Sequence, residues 1–65
     1  MNKTFITDLE LGLTYAGILQ SYEVINDKVK VTLIDVLVYD YYSSHPLYNL
    51  NNIKINKSQS LLYRE

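Results

Sequence analysis

The sequence predicts an all-β domain, folded as a five-stranded, strongly bent small barrel. Two observations indicate this fold: apolar and polar residues alternate in short runs separated by turn residues, and one glycine lies inside an apolar run. A glycine within a strand marks a bulge or a sharp bend, and a barrel of few strands must bend its strands hard. Because 65 residues hold only one core, residues 1–65 are expected to form a single domain.

The first strand is predicted from Phe5 to Leu11, where polar residues alternate with apolar ones, and Gly12 ends its turn. A helix is the alternative, because apolar residues also recur four apart here. The threonines on either side of the Phe5-Ile6 pair favour a strand. Asp8 and Glu10 are two apart, so we expect them to share the solvated face.

The second strand is predicted from about Leu13 to Ile25. It ends at Asn26-Asp27, residue types that tolerate the left-handed backbone of turns. Gly17 lies in the middle of this apolar run, where a closed barrel must curl. We therefore expect Gly17 to bend the strand.

The third strand begins with apolar residues at every second position from Val29 to Leu33. Ile34 shifts this phase, and the apolar face continues from Val36 on the opposite side. This switch predicts a bent strand, or one shared between two sheets. Asp35 lies at the switch among apolar residues, and we expect its carboxylate to be hydrogen-bonded to backbone there.

The polar stretch Tyr39–Asn52 is predicted to be one long loop. Ile53 and Ile55 then alternate with polar residues in a fourth strand, "NKSQ" makes a turn, and residues 60–63 close the chain as a fifth strand. Ser43, Ser44 and His45 are adjacent on a loop, and no third group orients the imidazole, so we expect an exposed turn before Pro46 rather than a catalytic Ser-His pair.

Composition excludes several classes of site. The chain has no cysteine and one histidine, which removes disulfides, thiolate metal sites and a histidine-based zinc site. No cofactor is predicted, and without a triad or a paired acid and base we expect a protein that is not an enzyme. A formal net charge of −1 means that any binding of nucleic acid must be local.

Location is predicted from what the sequence does not contain. No apolar run is long enough for a spanning helix, and acidic residues interrupt the amino-terminal region before a signal peptide can form. We therefore expect no membrane association and a cytoplasmic protein. The richness in Tyr, Asn, Ile and Lys is typical of AT-rich coding sequence, which suggests a low-GC bacterium or a virus of one, in whose host cytoplasm the protein would act.

Three segments together resemble the Sm and Sm-like proteins, a family of SH3-type small barrels. "KTFITDLELGLTYAGILQSYE" is similar to the first half of that family, "LIDVLVYD" to its third strand and "IKINKSQSLLYRE" to its closing pair of strands. The positions that match the first-half pattern are Tyr15, Gly17, Leu19, Tyr22 and Glu23. We expect no counterpart of the family's amino-terminal helix, because the first strand is predicted to begin almost at Met1, and Asn56-Lys57 stands where the family usually has Arg-Gly or Lys-His.

The resemblance implies a homo-oligomeric ring, closed by pairing between the fourth and fifth strands of neighbouring subunits. The apolar edges of these strands carry few charges, which independently favours pairing with another chain. A small cysteine-free domain also gains stability by self-association. The predicted interface residues are Ile53, Ile55, Leu61, Leu62 and Tyr63.

The resemblance also places ligand binding in the turns after the second and fourth strands. The predicted binding residues are Asn26, Lys28, Lys30, Asn56 and Lys57, with Tyr41 and Tyr42 for stacking on bases. The ligand would be single-stranded RNA or a small nucleotide. The alternative hypothesis is a virus-encoded protein whose tyrosine-rich surface, residues 39–48, binds and inhibits a host enzyme or defence complex.

Overall fold

The computed structural model describes residues 2–65, which form one curled antiparallel sheet. The strands lie in the order β4-β3-β2-β1-β5, so β4 and β5 are its two edges. The predicted all-β, strongly bent small barrel is confirmed, with the sheet curled as a half-barrel. The elements are β1 (Thr4–Asp8), β2 (Leu13–Ile25), β3 (Lys28–Asp40), β4 (Pro46–Ser58), a 3₁₀ turn (Gln59–Leu61) and β5 (Leu62–Arg64).

Gly17 bends β2, as the sequence predicts. The pairing of β2 with β3 shifts register between Ala16 and Ile18, on either side of the glycine. A Cβ atom at Gly17 would lie 2.9 Å from the carbonyl oxygen of Ile34. The bulge therefore brings two backbones so close that only glycine fits between them.

The predicted bend in β3 is centred on Asp35, which adopts a left-handed conformation with φ of 51°. Leu33 and Val36 are both buried although three positions separate them, so the bend reverses which positions face the core. The expectation that backbone groups bond the Asp35 carboxylate is wrong. Asp35 is exposed, and no backbone hydrogen bond to its carboxylate is found among residues 2–65.

The predicted long loop over residues 39–52 is wrong, because most of it is strand. β3 continues to Asp40 and β4 begins at Pro46, which leaves only residues 41–45 as a connection. β4 lies at the edge of the sheet, so its side chains are largely exposed and its polar composition is compatible with pairing. The predicted "NKSQ" turn is also displaced: Asn56 and Lys57 lie within β4, and Leu61 belongs to the 3₁₀ turn.

The acidic residue Asp8 lies on the face of β1 that meets the core. Ile6 and Asp8 are 1% exposed, whereas Phe5 is 39% exposed. The prediction of a solvated face is therefore wrong for Asp8, although Glu10 beyond the strand is exposed.

The core lies inside the curl and is built from β-branched and other apolar side chains of β1 to β4. Burial, together with the nearby Asp8 charge, raises the pKa of the Tyr15 phenol above its ordinary value. The buried cluster is Ile6, Tyr15, Val29, Val31, Leu33, Val36, Val38 and Ile55. Of residues 2–65, none belongs to a helix long and apolar enough to cross a membrane.

Candidate functional site

A groove crosses β2, β3 and β4 on the face of the sheet that points away from the core. It encloses about 400 Å³, and we call it the lysine groove. Its lining residues are Ser21, Tyr22, Glu23, Lys30, Val31, Thr32, Lys54, Ile55 and Asn56.

The register of the three strands builds this groove. Val31 and Ile55 pair with each other and point into the core, so the residues on either side of them point outward. Two rows of side chains result, one on each side of the groove, at a spacing of roughly 7 Å set by the rise of two strand residues. One row is Glu23, Lys30 and Asn56, and the other is Ser21, Thr32 and Lys54.

The charge of the lysine groove is locally positive on a chain whose formal net charge is −1. Lys30 and Lys54 each bring an ammonium group, and Glu23 opposes Lys30 across the strands. Lys28 precedes Lys30 by two positions in β3, so it extends the same face toward the β2–β3 turn. The groove therefore combines cationic groups with hydroxyl and amide groups that donate and accept hydrogen bonds.

Lys57, a predicted binding residue, lies on the opposite face from its neighbour Asn56. Its Nζ atom lies 2.5 Å from Asp8 Oδ2 and 2.9 Å from Glu10 Oε1. These two carboxylates raise the pKa of the Lys57 ammonium group. Lys57 thus joins β4 to the β1–β2 turn, and its charge is compensated within the subunit.

Asn26 lies at the tip of the β2–β3 turn with a left-handed φ of 56°. The adjacent Asp27 fastens this turn to the 3₁₀ turn: its carboxylate accepts a hydrogen bond from Ser58 Oγ at 2.8 Å, and its carbonyl accepts one from the Gln59 amide at 2.7 Å. The structure therefore holds Asn26 in place beside the end of β4.

Tyr41 and Tyr42 lie outside the lysine groove. They follow β3 where Asp40 pairs with Leu13, at the other end of the β2–β3 hairpin from Asn26. Their rings meet edge to face with centroids 5.2 Å apart, and the Tyr41 amide donates to the carbonyl of Gly12 at 2.9 Å.

Lys54 and Tyr22 line the lysine groove, although neither is among the predicted binding residues. Lys54 enters the site because β4 pairs with β3 in the observed register, which no local pattern reports. Tyr22 pairs with Val31, so its ring projects to the face opposite the groove lysines, where the Arg64 guanidinium lies 4.6 Å from the ring centroid. The signal for Lys54 was its alternation with Ile53 and Ile55, which places it on the outer face.

The predicted interface residues divide between the core and the surface. Ile55 belongs to the core, and Ile53 and Leu62 pack against it. Leu61 is half-buried in the 3₁₀ turn, and Tyr63 is 57% exposed. Contact of β4 and β5 with another chain would therefore be made mainly by the backbone groups of their free edges.

The serine and histidine before Pro46 form a turn, as predicted. Ser43 Oγ accepts a hydrogen bond from the His45 backbone amide at 3.1 Å, and His45 is exposed. No group of three or more His, Asp or Glu side chains is placed to hold a metal ion among residues 2–65.

No family model, curated protein or solved structure matches the chain. The curled sheet of five antiparallel strands is compatible with a small barrel fold, and membership of the Sm-like family stays a prediction.

Proposed function

We propose that this protein is a non-enzymatic binding protein that holds a phosphate-bearing nucleotide ligand, single-stranded RNA or a small nucleotide, in the lysine groove. The observation that supports the proposal is the convergence of Lys30, Lys54 and Asn56 in one groove on an otherwise weakly acidic chain.

The groups of the lysine groove suit the parts of such a ligand. Ammonium groups of Lys30 and Lys54 attract phosphate, and local positive charge raises the concentration of anions near the surface. The Asn56 amide and the Thr32 hydroxyl have the donors and acceptors that sugar hydroxyls and base edges require. A longer strand could continue along Lys28 toward the β2–β3 turn.

The first prediction is that neutralising both groove lysines weakens binding and its dependence on salt. We expect Lys30→Gln/Lys54→Gln to bind labelled oligouridylate and oligoadenylate more weakly than the unchanged protein at low salt. Each phosphate contact to a single strand contributes about 0.7 to the slope of log affinity against log salt, so the slope should decrease by roughly 1.4. Fluorescence anisotropy with these oligomers and with a panel of mononucleotides and dinucleotides measures both quantities.

The matched control is Lys3→Gln, because Lys3 is an exposed lysine that lies outside the lysine groove. The control should bind as the unchanged protein does. Equal losses in the control and in the single variant Lys30→Gln, which removes the same charge, would show that only net charge matters. An absence of binding to every oligomer and nucleotide at low salt would contradict the proposal itself.

We further infer that the protein forms a homo-oligomer through its sheet edges. β4 and β5 each pair on one side only within the subunit, and unpaired edges bind other strands readily. Pairing of β4 in one copy with β5 in the next is heterologous, so it closes into a ring if the rotation permits. The ring would repeat the lysine groove around its axis.

A pair of proline variants tests this edge. Successive backbone amides of a strand point to opposite sides of it. One of the two variants Asn51→Pro and Asn52→Pro therefore removes an amide that faces β3, and the other removes an amide at the free edge. Both side chains are exposed, which keeps the core intact. We expect one variant to stay folded and lose oligomer mass, as measured by light scattering and circular dichroism. A folded edge variant that keeps its full oligomer mass would contradict pairing through β4.

A further inference from the structure

A second groove lies on the outer face near the opposite end of the β2–β3 hairpin. It is a shallow depression, open to solvent, with a volume of about 390 Å³, and we call it the aromatic groove. Its lining residues are Phe5, Thr14, Tyr39, Asp40, Tyr41, Ser43 and Ser44. Three of these seven are aromatic, and none is basic.

The strand register explains why rings gather here. Tyr63, Thr7, Thr14 and Tyr39 are paired in succession across β5, β1, β2 and β3, and paired residues project to the same face. The hydroxyls of Thr7 and Thr14 lie 2.9 Å apart, which fixes the centre of this row. Thr7 is only 6% exposed, so the aromatic rings around it, rather than the threonine, form the surface.

The charge of the aromatic groove is acidic. Asp40 lines it, and the Glu65 amide donates to the carbonyl of Phe5 at 3.1 Å, which brings the last residue beside the groove. One oxygen of Asp40 accepts the Tyr42 amide at 2.9 Å, and this bond fixes the carboxylate in place.

We propose that the aromatic groove binds an arginine-bearing extended segment of another protein. A guanidinium stacks on tyrosine faces and is attracted by a nearby carboxylate, so it suits the rings of Tyr39 and Tyr41, between which Asp40 lies in the chain. Within the subunit, the Arg64 guanidinium already makes the stacking contact, over the ring of Tyr22. The negative charge of Asp40 disfavours a phosphate-bearing ligand here, so this site is separate from the lysine groove and its function goes beyond the one proposed above.

The test uses three fluorescein-labelled peptides of equal length: acetyl-Ser-Arg-Ser-Arg-Ser amide and its lysine and glutamate counterparts. We expect the arginine peptide to bind most tightly, the lysine peptide more weakly, and the glutamate peptide not at all. In a ¹⁵N NMR titration of the unchanged protein, the shifts should map to Thr7, Thr14 and Tyr41. This mapping needs no variant and therefore does not depend on whether a variant folds.

Two variants and a control examine the named contacts. Tyr41→Leu should weaken arginine-peptide binding about two- to fivefold, the effect of one exposed cation–π contact. Asp40→Asn should also weaken it while its side-chain oxygen still accepts the Tyr42 amide. The control is Tyr48→Leu, because Tyr48 is 49% exposed and Tyr41 is 48% exposed, but Tyr48 lies outside the aromatic groove.

Three results would overturn this proposal. The first is equal binding of the arginine and glutamate peptides. The second is an equal loss in Tyr48→Leu and Tyr41→Leu. The third is a set of shifts confined to the lysine groove, or explained by self-association alone. The nucleotide titrations of the lysine groove are independent of this outcome, so either site can fail without the other.

Discussion

Gly17→Ala is expected to lower the free energy of unfolding by about 1–3 kcal/mol, the usual effect of forcing extra volume into a packed site. The added Cβ would lie 2.9 Å from the Ile34 carbonyl oxygen, 3.1 Å from Val36 Cγ2 and 3.3 Å from Leu33 Cβ. Relief would require the β2 and β3 backbones to separate at the bulge, and both neighbouring side chains belong to the core. Alanine restricts the unfolded chain, but the resulting gain of about 0.4–1 kcal/mol is smaller.

Urea unfolding followed by circular dichroism measures this effect, and Gly12→Ala is the matched control. Gly12 has a left-handed φ of 69°, yet a Cβ there would meet its nearest atom, in Tyr42, at an ordinary 3.8 Å. The control should therefore be destabilised only by the backbone strain of one left-handed alanine, about 1–2 kcal/mol, and its core should not move. If Gly17→Ala is the less damaging of the two, the close approach at the bulge does not limit stability. NMR shifts of Leu33 and Val36 should change in Gly17→Ala alone.

The bend and the bounds of β2 were predictable because their signals are local. An apolar run from Leu13, an interior glycine and the Asn26-Asp27 turn each act through neighbouring residues. The bend of β3 was equally visible in the sequence. The strand buries residues both before and after Asp35, and the apolar positions therefore change phase there.

The edge strand was not predictable from composition. β4 has a free edge, so residues such as Tyr48, Asn49 and Asn51 are exposed and resemble a loop, although Tyr48 and Asn49 pair with Val38 and Leu37. Only the partner strand reveals this pairing, because polar residues on an exposed edge need no apolar alternation.

The candidate site was predictable only in part, because the pairing between strands decides which side chains share a groove. Lys30 and Asn56 lie opposite each other in the lysine groove, while Lys54 joins them through the β3–β4 register. Lys57 differs from Asn56 by one position and so faces the other way, toward Asp8. A single-residue difference in strand position thus separates a groove residue from a structural one.

The ion pair of Asp8 should make stability depend on pH. Burial alone would raise the pKa of Asp8, but the Lys57 ammonium group and the amides of Leu11 and Glu10 outweigh it and leave the pKa below its ordinary 3.8. The native state therefore holds the carboxylate ionised more strongly than the unfolded chain does. This contribution to stability is present above pH 3.8 and is lost as the pH falls through the lower native pKa.

We expect Asp8→Ala to lower the free energy of unfolding by about 2–3 kcal/mol. Asp8 Oδ1 accepts the Glu10 and Leu11 amides, each at 3.0 Å, and these charge-assisted bonds hold the β1–β2 turn. Asp8→Asn keeps an oxygen for both amides and should lose less. Its unfolding free energy should also decline less steeply below pH 3.8, because the titrating carboxylate is gone.

Lys57→Gln separates the charge of the pair from the bonds of the turn. Without the ammonium group the buried carboxylate loses its cation, so the pKa of Asp8 should rise and acid unfolding should begin at a higher pH. Lys54→Gln is the control, since it removes the same charge from the outer face of the same strand, three positions away. Acid titrations followed by tyrosine fluorescence should show an upward shift of the midpoint for Lys57→Gln only. Equal midpoints in the two variants would mean that the turn amides, rather than the lysine, keep Asp8 ionised inside the barrel.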